Sequence, residues 1–326
     1  MRAIVIEQPG DEDVLRIGEA EAPAMGPADL RIRVSATAVN RADLLQRQGM
    51  YPPPLGSSPI LGLECAGRVL EVGANVSGWQ AGDRVMALLP GGGYAAEAVV
   101  HAGSALHVPA ALSDVEAAAL PEVFLTAFLN IFMLGEPPAG GSVLVHGGGS
   151  GVGTAAITLC KEAGLRVIVT AGSDEKCQRC REHGADVAIN YRSGDFAAAV
   201  QEATDGKGVN VVLDSIGASY LASNLTSLAL DGRLVIIGLT GGARTEVNLA
   251  MVMLKRLRVI GSTLRTRPVD EKAVIVRTFG QRFGEALKAG RIRPVIDRVL
   301  PLERAAEAHR VVYASVHFGK VVLRIQ

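Results

Sequence analysis

Residues 143–170 constrain this 326-residue chain more tightly than any other stretch. They begin VLVHGGGSGVGTAAI, pass Cys160 and Gly164, and close on RVIVT at 166–170. Apolar β-formers, a glycine cluster, a helical stretch and a second β-rich run make a βαβ unit. The cluster fits the dinucleotide spacing G-x-G-x-x-G as Gly148-x-Ser150-x-x-Gly153, with serine replacing the middle glycine. A looser frame, Gly151-x-Gly153-x-x-Ala156, also fits. Gly148 is expected to let the strand turn without a Cβ penalty, and Gly151 to leave room for a phosphate beside backbone N–H groups. Gly153 and Ala156 would let the helix pack close, with its N-terminus aimed at the anion. Ser150 and Val152 complete the candidate phosphate loop. The alternative is a glycine-rich turn in an unrelated α/β domain.

Beyond this unit, the pattern divides the chain. Short β-rich runs at 1–7, 14–17, 30–39, 67–72, 85–88 and 94–100 are separated by glycine turns, which predicts a compact barrel-like β-domain, with a sandwich as the alternative. A short helix is expected over 40–48 and a rigid, proline-rich loop over 49–59. The period changes after Pro109. Helices are expected at 115–120 and 123–133, then strands and helices alternate: helix 177–182, strand 187–190, helix 196–203, strand 209–214, helix 220–229, strands 233–238 and 257–261. That alternation predicts an α/β fold with a doubly wound parallel sheet. A long helix over 269–288, an extended run at 294–300, a helix at 302–312 and a closing strand at 320–325 return to the mixed character of the start. The expected domains are therefore 1–120 and 266–326 together as a β-rich domain, with the dinucleotide domain, 121–265, inserted between them.

Lys plus Arg and Asp plus Glu number 33 each, so the formal net charge is zero, which disfavours a nucleic-acid surface or a polybasic membrane patch. No signal-peptide pattern or apolar span is evident, and the four cysteines form no disulfide framework, so a cytoplasmic location is expected. Cys177-x-x-Cys180 has a metal-like spacing, but no second pair completes a site, and both are read as helix-face residues.

The cofactor is read from strand ends. A site that accepts a ribose 2′-hydroxyl usually places Asp or Glu at the tip of the second strand. Here Gly172 and Ser173 stand there, Lys176 lies one turn into the next helix, and Tyr191 with Arg192 follows the third strand. Those donors and cations suit a 2′-phosphate, so NADPH is expected. The alternative makes Lys176 and Arg192 surface charges and Asp174 the ribose ligand. Ser215, Gly217 and Gly238 end the next two strands and would lie close to the nicotinamide half, with Phe318, Gly319 and Lys320 covering it; lone glycines at strand ends are also commonly plain turns.

Taken together, NRADLLQRQG at 40–49, YPPP at 51–54, PILGLE at 59–64, GDRV at 82–85, the glycine loop from His146, AGS at 171–173 with Lys176, NY at 190–191, DSIG at 214–217, LDGR at 230–233 and GK at 319–320 resemble the zinc-independent quinone oxidoreductases of the medium-chain dehydrogenase/reductase superfamily, the p53-inducible type above all. The resemblance implies a GroES-like catalytic domain, a Rossmann domain and a cleft between them. It further implies NADPH, quinone substrates, and a homodimer formed by edge pairing of Rossmann sheets, here through Leu257 to Gly261. Zinc alcohol dehydrogenases share this fold, but Val39 and Asn40 stand where their first Cys would be and Leu63 where their His would be, so no metal is expected.

Without a metal, an easy acceptor such as a quinone needs position, a dry site and a hydrogen bond. Asn40 is the first candidate to hold the substrate oxygen, Tyr51 is the candidate to orient a flat ring, and Gln46 is a further candidate facing the substrate. Tyr51 as a lid residue without a chemical role is the alternative. Two rival functions stand beside quinone reduction: an NADPH-dependent enal or enone reductase, and a low-turnover cofactor-sensing or RNA-binding relative.

Overall fold

The computed structural model describes residues 1–325. They form two compact units: Met1–Leu125 together with the chain from Leu264 onward, and Thr126–Thr263.

In the first unit, β1 (Arg2–Val5) and β2 (Arg16–Glu19) pair as a small antiparallel sheet. The larger sheet is built on β3 (Asp29–Ala38), whose ten residues alternate polar and apolar through Leu30, Ile32 and Val34. Helix α1 (Arg41–Arg47) follows at once; then come β4 (Glu64–Val72), β5 (Arg84–Leu88), β6 (Glu97–His101) and β7 (Ala105–His107). Strand β4 runs antiparallel to β3, and β6 pairs with the first half of β3, at Asp29 to Arg33. At Gly67 the strands approach so closely that an added Cβ would stand 1.9 Å from the Arg33 carbonyl oxygen, which no side chain could tolerate. Helix α2 (Asp114–Ala118) starts from a capping box in which Ser113 and Glu116 satisfy each other's backbone N–H groups. Helix α3 (Pro121–Phe128) follows it.

The second unit carries the glycine-rich βαβ segment. Its elements are β8 (Ser142–His146), α4 (Gly151–Glu162), β9 (Arg166–Ala171), α5 (Asp174–Glu182), β10 (Val187–Asn190), α6 (Phe196–Ala203), β11 (Val209–Asp214), α7 (Leu221–Ser227), β12 (Leu228–Ile236), α8 (Leu249–Leu254) and β13 (Arg258–Gly261). The six strands are parallel in the order β10-β9-β8-β11-β12-β13. From β8 the chain winds outward to β10; it then returns to the other side of β8 and winds out to β13. The reversal falls between β8 and β11, where an open α/β sheet forms its binding crevice. Leu144, Ile168, Val212 and Leu234 pack one face of the sheet against Phe196, Val200 and Leu225, as expected for strands covered by helices.

The chain then rejoins the first unit. Helix α9 (Val269–Lys288), β14 (Ile296–Pro301), α10 (Ala305–Tyr313) and β15 (Lys320–Arg324) complete it. Strand β15 pairs antiparallel with the end of β3, Val322 opposite Ala38, and parallel with β14. Val321 and Leu323 join Leu30, Ile32 and Val34 in a core that also takes Ala308 and Val312 from α10.

Three local expectations change. The helix expected over 220–229 ends at Ser227, and β12 begins at Leu228, because Asp231 takes a left-handed turn (φ 60°) inside a run of β-formers. The helix expected over 123–133 is regular only to Phe128; Leu129–Gly135 continues with the wider π winding, where the Asn130 Nδ2 donates to the Thr126 carbonyl at 2.7 Å. Helix α8, short and apolar without an amphipathic period, gave no sequence signal; Asn248 caps it through the Ala250 N–H at 3.1 Å. Among the described residues no helix is long and apolar enough to cross a membrane.

Candidate active site

The glycine loop follows β8. Its sharp turn falls on Gly147, with φ at +74°, rather than on Gly148 as expected. Gly148 has a packing role: a Cβ there would stand 2.7 Å from Val169 and 3.0 Å from the Cys180 sulfur. Gly153 is required by the return of the loop, since its Cβ would meet the Gly147 carbonyl oxygen at 2.3 Å. Ser150 fills the middle-glycine position because it caps α4, its Oγ accepting from the Gly153 N–H at 3.0 Å. Gly151 and Val152 open the twelve-residue helix, whose N-terminal end has the polarity that suits an anion.

Four further strand ends lie along the same edge of the sheet. After β9, Ser173 caps α5 by accepting from the Lys176 N–H at 3.2 Å. A Cβ at Gly172 would stand 2.8 Å from the Tyr191 hydroxyl, so the missing side chain lets that ring approach. Arg192, beyond β10, is exposed. Asp174, the alternative ribose ligand, accepts from the Asn190 Nδ2 at 2.8 Å. After β11, Gly217 has φ at +84° and its N–H donates to the Asp214 carboxylate. Gly238 lies against Ser215, whose carbonyl oxygen would be 2.9 Å from an added Cβ. The second unit therefore brings Gly148, Ser150, Gly151, Val152, Gly153, Gly172, Ser173, Lys176, Tyr191, Arg192, Ser215, Gly217 and Gly238 to the carboxyl ends of adjacent parallel strands. Beneath them His146 bridges Thr170 Oγ1 (3.0 Å) and Asn224 Oδ1 (2.6 Å), and burial pushes its imidazole down to about 4, so it stays neutral. Cys177 and Cys180 are buried free thiols in α5, and burial pushes Cys180 up to about 12.

In the first unit the Lys320 side chain differs from expectation. It is 3% exposed, and its ammonium donates to the Val39 carbonyl at 3.1 Å and the Asn40 Oδ1 at 2.5 Å, and pairs with Glu64 Oε1 at 2.8 Å. All three ammonium hydrogens thus have partners within the unit, and a cofactor contact through that group would break one of them. Phe318 is buried with its N–H on Asp297, and Gly319 (φ 92°) is pressed against the Val295 carbonyl. Asn40 also departs from the expected free donor. Its Nδ2 donates to the Ala38 carbonyl (3.2 Å) and to Glu64 Oε1 (2.9 Å), so both amide hydrogens are engaged. Glu64 Oε2 accepts from the Glu122 N–H at 2.9 Å, completing a closed buried network.

Tyr51 and Gln46 are organised by a residue that sequence reasoning missed. Arg265, 5% exposed, donates through Nε to the Pro90 carbonyl (2.8 Å), through Nη1 to the Tyr51 carbonyl (3.3 Å) and through Nη2 to Gln46 Oε1 (2.6 Å). Its guanidinium also stands 5.3 Å from the Tyr51 ring centroid. Gln46 Nε2 donates to the Pro59 carbonyl at 2.8 Å, closing the proline loop. Burial raises the Tyr51 phenol's pKa while Arg265 draws it down. The available signal was the pair of arginines in LRTRP, directly after the last strand of the sheet.

Among the described residues no group of three or more His, Cys, Asp or Glu side chains could hold a metal ion. The family described as alcohol dehydrogenase GroES-like domain matches residues 26–110, and that described as zinc-binding dehydrogenase matches residues 151–278. Rat quinone oxidoreductase is 31% identical over 99% of this chain and 97% of its own length. The chain belongs to the medium-chain dehydrogenase/reductase superfamily, among its quinone-oxidoreductase-like members. The human synaptic vesicle membrane protein VAT-1 homolog is 33% identical over 99% of this chain and 86% of its own. The crystal structure of Escherichia coli quinone oxidoreductase complexed with NADPH superposes with a TM-score of 0.87, at 29% identity and full coverage of both chains.

The Lys320 network predicts a specific stability pattern. Lys320→Met leaves a buried carboxylate without its cation and should cost about 3–5 kcal/mol in urea denaturation. Adding Glu64→Gln should recover a large part of that loss. Additive losses in the two variants would show that the ion pair does not act as a unit.

Proposed function

We infer that the protein transfers hydride from NADPH to quinone-type acceptors. The observation that carries this is the full-length similarity to quinone oxidoreductases, one of them solved with NADPH, combined with a phosphate loop at the sheet's topological reversal. The strand ends fit the phosphorylated cofactor: no carboxylate stands at the tip of β9, where Gly172 lets the Tyr191 hydroxyl come close beside Ser173. We assign the pyrophosphate to the Ser150–Gly153 turn, the 2′-phosphate to Ser173, Lys176, Tyr191 and Arg192, and the nicotinamide half to Ser215, Gly217 and Gly238. When bound, NADPH supplies the hydride, and a proton completes reduction of the acceptor to a hydroquinone.

Within the first unit we assign the acceptor's hydrogen bond to Tyr51 rather than Asn40. Both Asn40 amide hydrogens are engaged, whereas among the described residues the Tyr51 hydroxyl has no hydrogen-bond partner. Arg265 holds the Tyr51 backbone, and burial raises the phenol's pKa against the nearby Arg265 charge, so the hydroxyl keeps its proton and can donate it. Asn40 then acts by keeping Lys320 and Glu64 in place. No metal enters this scheme, because Asn40 and Leu63, which offer no zinc-binding chemistry, stand where zinc relatives carry ligands. Within that family we propose a likeness to the p53-inducible type, which rests on the Asn40–Gly49 and Tyr51–Pro54 stretches and with which Ser150 in the glycine loop is compatible.

We further propose a homodimer joined through β13. That strand is the sheet's edge; Val259 is 48% exposed on it, and Met253 and Leu254 of α8 are 70% and 72% exposed. Paired edges would satisfy the open ladder and cover this apolar surface.

Three measurements check this reading. NADPH should bind much more tightly than NADH, and Lys176→Ala should weaken NADPH by about 1–3 kcal/mol while leaving NADH nearly unchanged; equal affinities for the two cofactors would reject the assignment. Steady-state rates should favour quinones over alkenals, and the reverse order would make the protein an enal or enone reductase. In light scattering, wild type should have twice the chain mass and Val259→Lys should be monomeric; a Val259→Lys dimer would move the interface elsewhere.

A further inference from the structure

The first unit contains a second buried polar system, between α1 and α10. Arg47, Tyr94, Asp43 and His309 are each at most 2% exposed. Arg47 Nη1 lies 3.4 Å from His309 Nδ1, His309 Nε2 lies 3.1 Å from the Tyr94 hydroxyl, and that hydroxyl lies 3.3 Å from Asp43 Oδ2.

The direction of every bond in this chain follows from its first member. A guanidinium can only donate. His309 Nδ1 must therefore accept, which leaves the proton of the neutral ring on Nε2. Burial and the Arg47 charge push the His309 pKa down to about 3, so the ring does not take a second proton near neutrality. Nε2–H then donates to the Tyr94 oxygen, and the Tyr94 O–H is left to donate to Asp43. The chain reads one way, and it ends on a carboxylate that can only accept.

What that carboxylate holds gives the chain its consequence. Asp43 Oδ2 accepts from the Asn40 N–H at 2.8 Å and Oδ1 from the Gly62 N–H at 3.1 Å. One side chain thus ties together the two ends of the segment 40–62, which contains Gln46, the proline loop and Tyr51. We propose that Arg47, His309 and Tyr94 are positioning residues, which keep Asp43 an acceptor so that it closes the 40–62 segment and presents Tyr51 to the acceptor. The proposal rests on the assignment of Tyr51 as the substrate-facing donor.

The charged and titratable groups around Asp43 are Tyr94, Lys320 and Arg265, with Glu64 beyond Lys320 and Glu12 beyond Arg47. Burial is the larger influence and raises Asp43 to about 6, against the two backbone donors and the two cations. Below that pH Asp43 takes a proton, one acceptor position is lost, and the clamp loosens. The sign for stability is opposite. A carboxyl whose folded pKa lies above its unfolded value contributes stability that is full below the unfolded value and is lost as pH rises through about 6. Turnover should therefore fall below pH 6 while the contribution of Asp43 to stability grows, which separates a loosened clamp from acid unfolding.

The experiment uses the full-length protein, with Tyr94→Phe as the main variant and Arg47→Met as the second. Carboxyl carbon NMR follows Asp43, NADPH oxidation by a soluble quinone is measured from pH 5 to 8, and NADPH affinity is titrated separately. Both variants should raise the Asp43 titration and the acid limb of turnover together, by about one pH unit, with a higher quinone KM and unchanged NADPH affinity. An Asp43 titration that does not move in a folded Tyr94→Phe protein overturns the one-way chain. A titration that moves without the turnover limb overturns the positioning role. If wild type turns over no quinone, the functional reading falls and the positioning role with it, while the NMR titration still reports on the chain.

Discussion

The structure of the first unit depends on one buried cation. The Lys320 ammonium, on the last strand, is held by Val39, Asn40 and Glu64 from the end of β3, the start of α1 and the start of β4. A lone ammonium so deeply buried would be costly, and a lone Glu64 carboxylate equally so; together, with the remaining lone pairs taken by Asn40 and the Glu122 N–H, they are compensated. The network joins the C-terminal strand to the N-terminal part of the chain after the whole second unit has intervened. It also fixes the residue from which α1 begins. Asp43, Gln46 and Arg47 project from that helix, so the Arg265 contacts and the one-way chain from Arg47 both presuppose it.

The second unit is governed by the backbone. The cofactor contacts proposed there are mostly backbone N–H groups at strand ends where side chains are missing, as at Gly147, Gly153 and Gly172, with Lys176 and Arg192 added for the 2′-phosphate. The two units thus divide the chemistry differently: one offers an edge of parallel strand ends with a helix N-terminus, the other a buried polar lattice with few exposed reactive groups.

This division explains what was legible in the sequence. Strand and helix alternation and the glycine spacing are local patterns, so the parallel sheet and its glycine-rich turn could be read directly, although the turn lies on Gly147 and Gly148 is a packing glycine. The roles of Lys320 and Asn40 were not legible, because they are set by contacts 280 residues apart in sequence. A lysine near a glycine at the C-terminus looks like a ligand contact until its three partners are known. Arg265 was hidden for the same reason: its partners, Gln46, Tyr51 and Pro90, come from three separate segments. The break at Leu228 was lost because LAL continues an apolar helical face equally well, and only the left-handed Asp231 shows the strand.

NADPH-dependent quinone reduction on this chain is expected to need no metal. The most direct measurement is a single-turnover oxidation of NADPH by a simple quinone after exhaustive chelation, with metal content determined on the same sample. The rate should be unchanged, with no stoichiometric zinc in the sample. A rate lost on chelation and restored by zinc would contradict it.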